Sequence, residues 1–62
     1  MRLSQKWVVK LSNLPESGMG YQVVDITLKN GRVHKNILVY NCQEIKKFVL
    51  FREDQIVDIK IH

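Results

Sequence analysis

Hydrophobic and polar side chains alternate in the middle of the chain. In residues 21–28, Val24, Ile26 and Leu28 alternate with polar neighbours at the period of two typical of a half-buried strand. Asn30-Gly31 follows, and residues 32–40 form a second apolar segment. Asn-Gly accepts positive φ at both central positions of a type I′ turn, which suits two antiparallel strands. The pattern therefore predicts a β-hairpin.

A two-residue turn fixes the register of this hairpin, because side chains alternate between the two faces of a sheet. The face predicted to form the core carries Leu28, Val33, Ile26, Val24, Ile37 and Val39. Lys35, opposite Ile26, interrupts that face, so we expect a β-bulge near residues 35–36 or a lysine that snorkels at the core edge. The opposite face is polar near the turn, with Lys29, Arg32, Thr27, His34, Asp25 and Asn36. Farther from the turn it is apolar, with Val23, Leu38, Tyr21 and Tyr40.

Three further segments have strand-like patterns. These are residues 7–11, residues 44–51, and residues 56–61, where Val57, Ile59 and Ile61 alternate with polar neighbours. Residues 12–20 hold the only proline and two of the three glycines and are expected to form a loop. Residues 52–55 are a charged, tight connection with room for one short helical turn. Together these segments predict an all-β domain over residues 1–62, a small SH3-like barrel of about five antiparallel strands.

Two segments resemble a known family. The hairpin Leu28-Lys29-Asn30-Gly31-Arg32 and the later stretch Arg52-Glu53-Asp54-Gln55-Ile56-Val57-Asp58-Ile59 are similar to the two motifs of the Sm-like proteins, which are small SH3-type barrels. The resemblance implies five bent strands and, in that family, rings that bind single-stranded RNA. Glu53 stands where the second motif has glycine, and residues 40–43 lack the Asp and Met-Asn from which that family's RNA contacts come. The chain also resembles small prokaryotic proteins with SH3-type barrels, for which no activity is implied.

Length and composition narrow the classes of function. The chain has 62 residues, of which 45% are hydrophobic and 26% charged, as expected for one folded domain. A chain this short buries only about 60% of its unfolded surface, too little to frame a deep cleft, so we expect no enzyme activity. No apolar run approaches the roughly 18 residues of a membrane span, so no membrane partner is expected. The absence of a signal-peptide pattern and the single cysteine predict a cytoplasmic protein.

The net charge of +4 raises the question of nucleic-acid binding. Residues 1–20 and 21–40 each carry a net +2, and residues 41–62 carry none, so the excess is spread out. The predicted register nevertheless groups candidate phosphate contacts and stacking side chains on one face: Lys29, Arg32, His34, Lys46 or Lys47, Tyr21 and Tyr40. Asp25 lies in the same patch, and a solvated hairpin tip is the simpler interpretation.

The apolar half of that face needs a cover, since one sheet cannot bury both of its faces. Trp7 is the natural cover within the chain, and the alternative is a partner or a second copy that contacts Trp7, Val23 and Leu38 or a strand edge. We therefore expect a binding or assembly module for proteins, with RNA binding as the alternative. No constellation predicts catalysis, a metal or a cofactor. This holds for Cys42, for the histidines His34 and His62, and for the carboxylates Glu53, Asp54 and Asp58.

Overall fold

The computed structural model describes all residues from Met1 to His62. It contains the helix α1 (Gln5–Ser12), the strands β1 (Tyr21–Leu28), β2 (Val33–Tyr40) and β3 (Ile56–Ile61), and a 3-10 turn (Glu53–Gln55). The strands form one antiparallel sheet in the order β2-β1-β3. The fold is thus small and mostly β, as predicted, but the five-stranded barrel is wrong.

The central hairpin is confirmed, with a different turn. The Gly31 N–H donates to the Leu28 carbonyl at 2.9 Å, and the Leu28 N–H donates to the Arg32 carbonyl at 2.8 Å. Only Gly31 has positive φ in the turn, at 87°. The loop therefore has three residues, a type I turn followed by a glycine bulge, and the predicted type I′ turn is wrong. The side-chain oxygen of Asn30 accepts the Arg32 N–H at 2.9 Å, which stabilises this alternative.

The longer turn shifts the register of the first rungs by one residue. Val33 now pairs with Thr27, and His34 pairs with Ile26. A bulge between Val24 and Ile26, with Asn36 at φ 60°, restores the predicted register. The bulge expected near residues 35–36 is confirmed, and so are the pairs Val24–Ile37 and Gln22–Val39. The predictions for Val33 and His34 are wrong, because the shift leaves Val33 exposed and turns His34 toward the covered face.

Residues 7–11, predicted as a strand, belong to α1. Trp7 and Leu11 are four residues apart, so the helix places them on one face, and both are buried. Leu3, which precedes the N-cap residue Ser4, is buried with them. A strand would have placed Val9 with Trp7 and Leu11 on its buried side, whereas Val9 is half exposed. The helical period outweighs the β-branched character of Val8 and Val9, because the helix buries Trp7 and Leu11 together and leaves Val9 half exposed.

Residues 44–51 form no strand, contrary to prediction. Glu44 makes single antiparallel bridges with Tyr40 and with Arg2, and the chain then leaves the sheet. Ile45 and Phe51 are buried, while Phe48 and Leu50 point into solvent. The segment thus contributes two side chains, Ile45 and Phe51, to the core without pairing with a strand of the sheet. The short helical turn within residues 52–55 and the last strand are confirmed. The predicted shared face of Val57, Ile59 and Ile61 is wrong at Val57, because a bulge there leaves Val57 half exposed and buries Ile56.

One face of the sheet, the inner face, holds the hydrophobic core. α1 and the segment 45–51 cover it, and the twelve buried side chains are Leu3, Trp7, Leu11, Val24, Ile26, Leu28, Ile37, Val39, Ile45, Phe51, Ile56 and Ile59. Gln22 is the one buried polar side chain. Its amide nitrogen donates to the Leu11 carbonyl at 2.8 Å, at the end of α1. No helix or strand covers the opposite side, which we call the outer face. α1, with eight residues, is too short to span a bilayer.

Candidate interaction surface

The end of the outer face farthest from the hairpin turn carries a compact apolar group. Tyr21 pairs with Tyr40 and Val23 pairs with Leu38. Because the pair between them, Gln22 with Val39, points to the inner face, the four side chains are neighbours on the outer face. The two tyrosine rings lie 6.4 Å apart between centroids and are tilted by 47°. This separation falls in the range of favourable aromatic contacts. We call these four residues the aromatic end.

A close approach of the backbone positions the ring of Tyr21. A Cβ atom at Gly18 would lie only 2.3 Å from a ring atom of Tyr21, so the ring rests where only glycine leaves room. The N–H groups of Ser17 and Gly18 donate to the Tyr21 carbonyl at 3.0 and 3.3 Å, which holds the two segments together. The predicted loop 12–20 therefore has a definite role as the support of one tyrosine.

A tight reversal brings a cation to the other tyrosine. Asn41 and Cys42 have φ of 53° and 62°, and the turn that they form lets Glu44 bond back to Tyr40, with N–H to carbonyl distances of 2.8 and 3.0 Å. Two residues later the ammonium of Lys46 lies 5.1 Å from the centre of the Tyr40 ring. A lysine at this distance makes a cation–π contact. The aromatic end thus has a positive rim at Lys46.

The middle of the outer face is polar and centres on Asp25. The His62 Nδ1 lies 2.7 Å from the Asp25 Oδ1, and the Asn36 N–H donates to the same oxygen at 3.3 Å. Desolvation raises the pKa of the Asp25 carboxyl, but these hydrogen bonds and the positive charges of His62 and Lys35 outweigh it. Its pKa is therefore below its usual value. Asp25 is therefore ionised, and its carboxylate is already hydrogen-bonded to His62 and Asn36. This charged residue lies on the outer face between the aromatic end and the hairpin turn.

A second carboxylate ties β3 to the helix. The Lys10 ammonium donates to Asp58, and this hydrogen bond is the main cause that lowers the pKa of the Asp58 carboxyl. Partial burial opposes the shift, while the charges of Lys10 and Lys60 and the N–H of Ile59 add to it. Asp58 therefore acts as a structural anion.

The residues proposed for nucleic-acid binding do not come together. Lys29 and Arg32 are exposed at the hairpin turn, seven or more rungs from Tyr21 and Tyr40. At about 3.3 Å per residue this is roughly 23 Å. His34 leaves that face altogether, since its ring lies 5.0 Å from the ring of Phe51. Of the predicted group, only the two tyrosines and Lys46 form one surface.

The three residues predicted to contact a protein partner lie on opposite sides of the sheet. Val23 and Leu38 lie at the aromatic end as expected, and Leu38 is 38% exposed. Trp7 is only 5% exposed and belongs to the core under the inner face, so it covers the opposite side of the sheet from the one expected.

The edges of the sheet offer a partner little open backbone. On β2, the bulge with Asn36 at φ 60° interrupts the edge, and Glu44 occupies the edge bonds of Tyr40. On β3, the His62 N–H faces β1, so the amide of Ile59 faces outward, where the Asp58 carboxylate accepts it at 2.9 Å. Bulges and charged side chains are common ways to protect sheet edges. Contacts through the outer face are therefore easier than strand addition.

A second exposed apolar feature was missed by the sequence analysis. Phe48 is 82% exposed and Leu50 is 88% exposed. The blurred alternation of residues 44–51 predicts a strand buried on both faces toward its end, so it does not indicate that Phe48 and Leu50 are exposed. The surface forms no pocket, and no group of three or more potential metal ligands is present. Comparison of the chain with protein-family models, with curated proteins and with solved structures finds no match.

Proposed function

We propose that this chain is a non-enzymatic binding module that recognises a partner protein through the aromatic end of its outer face. The observation that carries the proposal is the pair of rungs formed by Tyr21 with Tyr40 and Val23 with Leu38, in which Leu38 is exposed and the other three side chains are partly exposed. Tyrosine is enriched at protein interfaces because one end of its ring is apolar and the other can hydrogen-bond. Leu38 supplies the aliphatic contact between the tyrosines and the polar middle of the face.

The size of the face limits the kind of partner. Three strands about 4.8 Å apart, of which the longest have eight residues, span at most roughly 14 by 26 Å. This area is well below the ~800 Å² that each side of a standard interface buries. The complex is therefore small and transient. Lys46 at the rim favours a partner segment that presents an apolar side chain beside a carboxylate.

The test is selection of peptides from a displayed random library on the full chain, followed by anisotropy titration of synthetic versions of the selected peptides. Leu38→Lys places a charge between the tyrosines and Asp25, and we expect it to weaken binding tenfold or more. Val33→Lys is the matched control, since Val33 is 49% exposed on the same strand at the distant end. It should leave affinity within about twofold.

Several results would overturn the proposal. Peptides that bind the Leu38→Lys chain as tightly as the wild type would place the binding surface elsewhere. Failure to select any peptide, combined with a monomeric mass by light scattering at high concentration, would remove both a peptide-like partner and a second copy. A dimer that Leu38→Lys dissociates would support the surface and identify a second copy as the partner.

A second candidate function is binding of single-stranded RNA at the same place, favoured by the contact between Lys46 and the Tyr40 ring beside Tyr21. Bases stack on aromatic rings while cations contact phosphates, and such binding weakens steeply with salt. Anisotropy of a labelled oligouridine tests it at low and moderate salt. Lys46→Glu should weaken binding several-fold, whereas the pair Lys29→Glu and Arg32→Glu should act only through overall charge. Salt-independent or absent binding would reject this function.

A further inference from the structure

The segment 46–52, which we call the apolar loop, presents two large hydrophobic side chains on a fixed base. Phe51 is buried, and Val49 is partly buried against the core. Phe48 and Leu50 alternate with these anchors and are almost fully exposed. Because the anchors lie in the core, the exposed side chains are held outward by the fold.

This exposure is unusual within the molecule. Single exposed hydrophobic residues are normal on protein surfaces. Here, however, two of the largest occur two residues apart, in a domain that buries only twelve hydrophobic side chains. Contiguous apolar exposure rimmed by polar residues marks an interaction site.

The charges of the apolar loop indicate what it binds. Lys46, Lys47 and Arg52 lie within the same seven residues, and the loop contains no acidic residue. Glu53 and Asp54 follow the loop: Glu53 accepts a hydrogen bond from the Ser4 hydroxyl at 2.6 Å, and Asp54 pairs with Arg52 at 3.2 Å. Lys46 and Lys47 are therefore the cations that the loop has for a ligand. Apolar side chains flanked by cations suit an anionic lipid surface, where the apolar groups enter the boundary between headgroups and acyl chains and the cations contact phosphates.

We propose that the apolar loop docks the protein on an anionic membrane surface, with Phe48 and Leu50 inserted and Lys46 and Lys47 on the lipid phosphates. A bilayer accepts two protruding side chains without matching pockets, whereas a protein partner needs a pocket for each. The Lys46–Tyr40 contact also places a tyrosine next to the loop, and tyrosines prefer the membrane interface. The sequence argument against a membrane partner concerned spanning segments, and surface docking needs none.

The experiment is co-sedimentation of the full chain with vesicles of phosphatidylcholine alone and with vesicles in which about a third of the lipid is phosphatidylserine. We expect binding only to the anionic vesicles. Phe48→Ser with Leu50→Ser should weaken it roughly tenfold or more, from loss of apolar burial. Lys47→Glu should weaken it at least about fivefold, since each cation near such a surface contributes about 1 kcal/mol.

Met19→Ser is the matched control, because Met19 is 99% exposed in a loop without neighbouring cations. It should change vesicle binding less than twofold, and circular dichroism should show that all variants remain folded. The proposal is overturned if anionic vesicles do not bind, if Met19→Ser weakens binding as much as the double serine variant, or if only Lys47→Glu has an effect. A double serine variant that abolishes self-association of the wild type without altering vesicle binding would assign the loop to contacts between copies, and would also overturn it.

Discussion

Gln22 joins the end of the helix to the middle of the sheet, and its replacement by glutamate should make folding depend strongly on pH. The side-chain nitrogen donates to the carbonyls of Leu11, Leu14 and Pro15 at 2.8, 3.2 and 3.3 Å. The residue is 1% exposed. Gln22→Glu replaces this donor by a carboxylate oxygen facing three carbonyl oxygens. The ionised form has no favourable partner there, so the folded-state pKa of the new carboxyl is raised.

The size of the effect follows from linkage between folding and proton binding. An unfolded glutamate has a pKa of about 4.3, and each pH unit between the unfolded and folded pKa costs about 1.36 kcal/mol. If the folded pKa is 7 or higher, raising the pH from about 4.3 to 7 removes roughly 3.7 kcal/mol of stability. A domain of this length has about 3–9 kcal/mol in total. The variant should therefore lose roughly 3.7 kcal/mol or more of its stability at neutral pH and regain that amount as the pH falls toward about 4.5.

Urea unfolding followed by the fluorescence of Trp7, the single buried tryptophan, measures this difference. Gln22→Met is the control, because it removes the same donor without adding a charge. Since it also removes the side-chain oxygen, which lacks a partner, its loss should stay below about 2 kcal/mol and vary little with pH relative to wild type. A Gln22→Glu variant within about 1 kcal/mol of wild type at pH 7, or one that is no more stable near pH 4.5, would refute the reasoning.

Three further predictions concern single contacts, each measured as the free energy of unfolding in urea. Asp58→Asn should cost less than about 1 kcal/mol at neutral pH, because its pair with Lys10 is partly exposed and screened by solvent. Because folding lowers the pKa of Asp58, its stabilisation is present above pH about 4 and is lost as the pH falls through the folded value. A wild-type advantage that persists near pH 2 would contradict this role. Gly31→Ala should cost about 1 kcal/mol, because φ is 87° although the space around it is open, and an unchanged midpoint would show that the turn can rearrange. Phe51→Ala should cost about 3–5 kcal/mol and Leu50→Ala almost nothing, so equal losses would mean that the anchors of the apolar loop are misassigned.

The alternation of side chains along the sequence was enough to predict where the strands lie and how the two strands of the hairpin pair. The positions of β1, β2 and β3 follow from stretches of alternating side chains. The lysine that interrupts the core pattern indicated a bulge near residues 35–36 or a snorkelling side chain, and the structure has the bulge. The second bulge, at Val57, did not follow from the alternation. The aromatic end could also be predicted, because Tyr21 with Tyr40 and Val23 with Leu38 lie beyond the bulge, where the register returns to the simple hairpin count.

Where the local sequence fits two different structures, only the tertiary structure decided between them. Trp7 and its neighbours fit a strand or a helix, and the helix prevails because Trp7 and Leu11 then reach the hydrophobic core from one side of the helix. The hairpin turn has one residue more than predicted, stabilised by the bond from the Arg32 amide to the Asn30 side chain, and this shift turns His34 away from Lys29 and Arg32.

The exposure of the apolar loop also could not be predicted from the sequence. Period-two alternation cannot distinguish a paired strand from a segment that anchors every second side chain in a core and holds the rest in solvent. Whether Phe48 and Leu50 are buried depends on whether another strand or layer covers them, which is a property of the assembled layers and not of the segment itself. The sequence therefore determined which side chains share a face, and only the tertiary structure decided which faces remain uncovered.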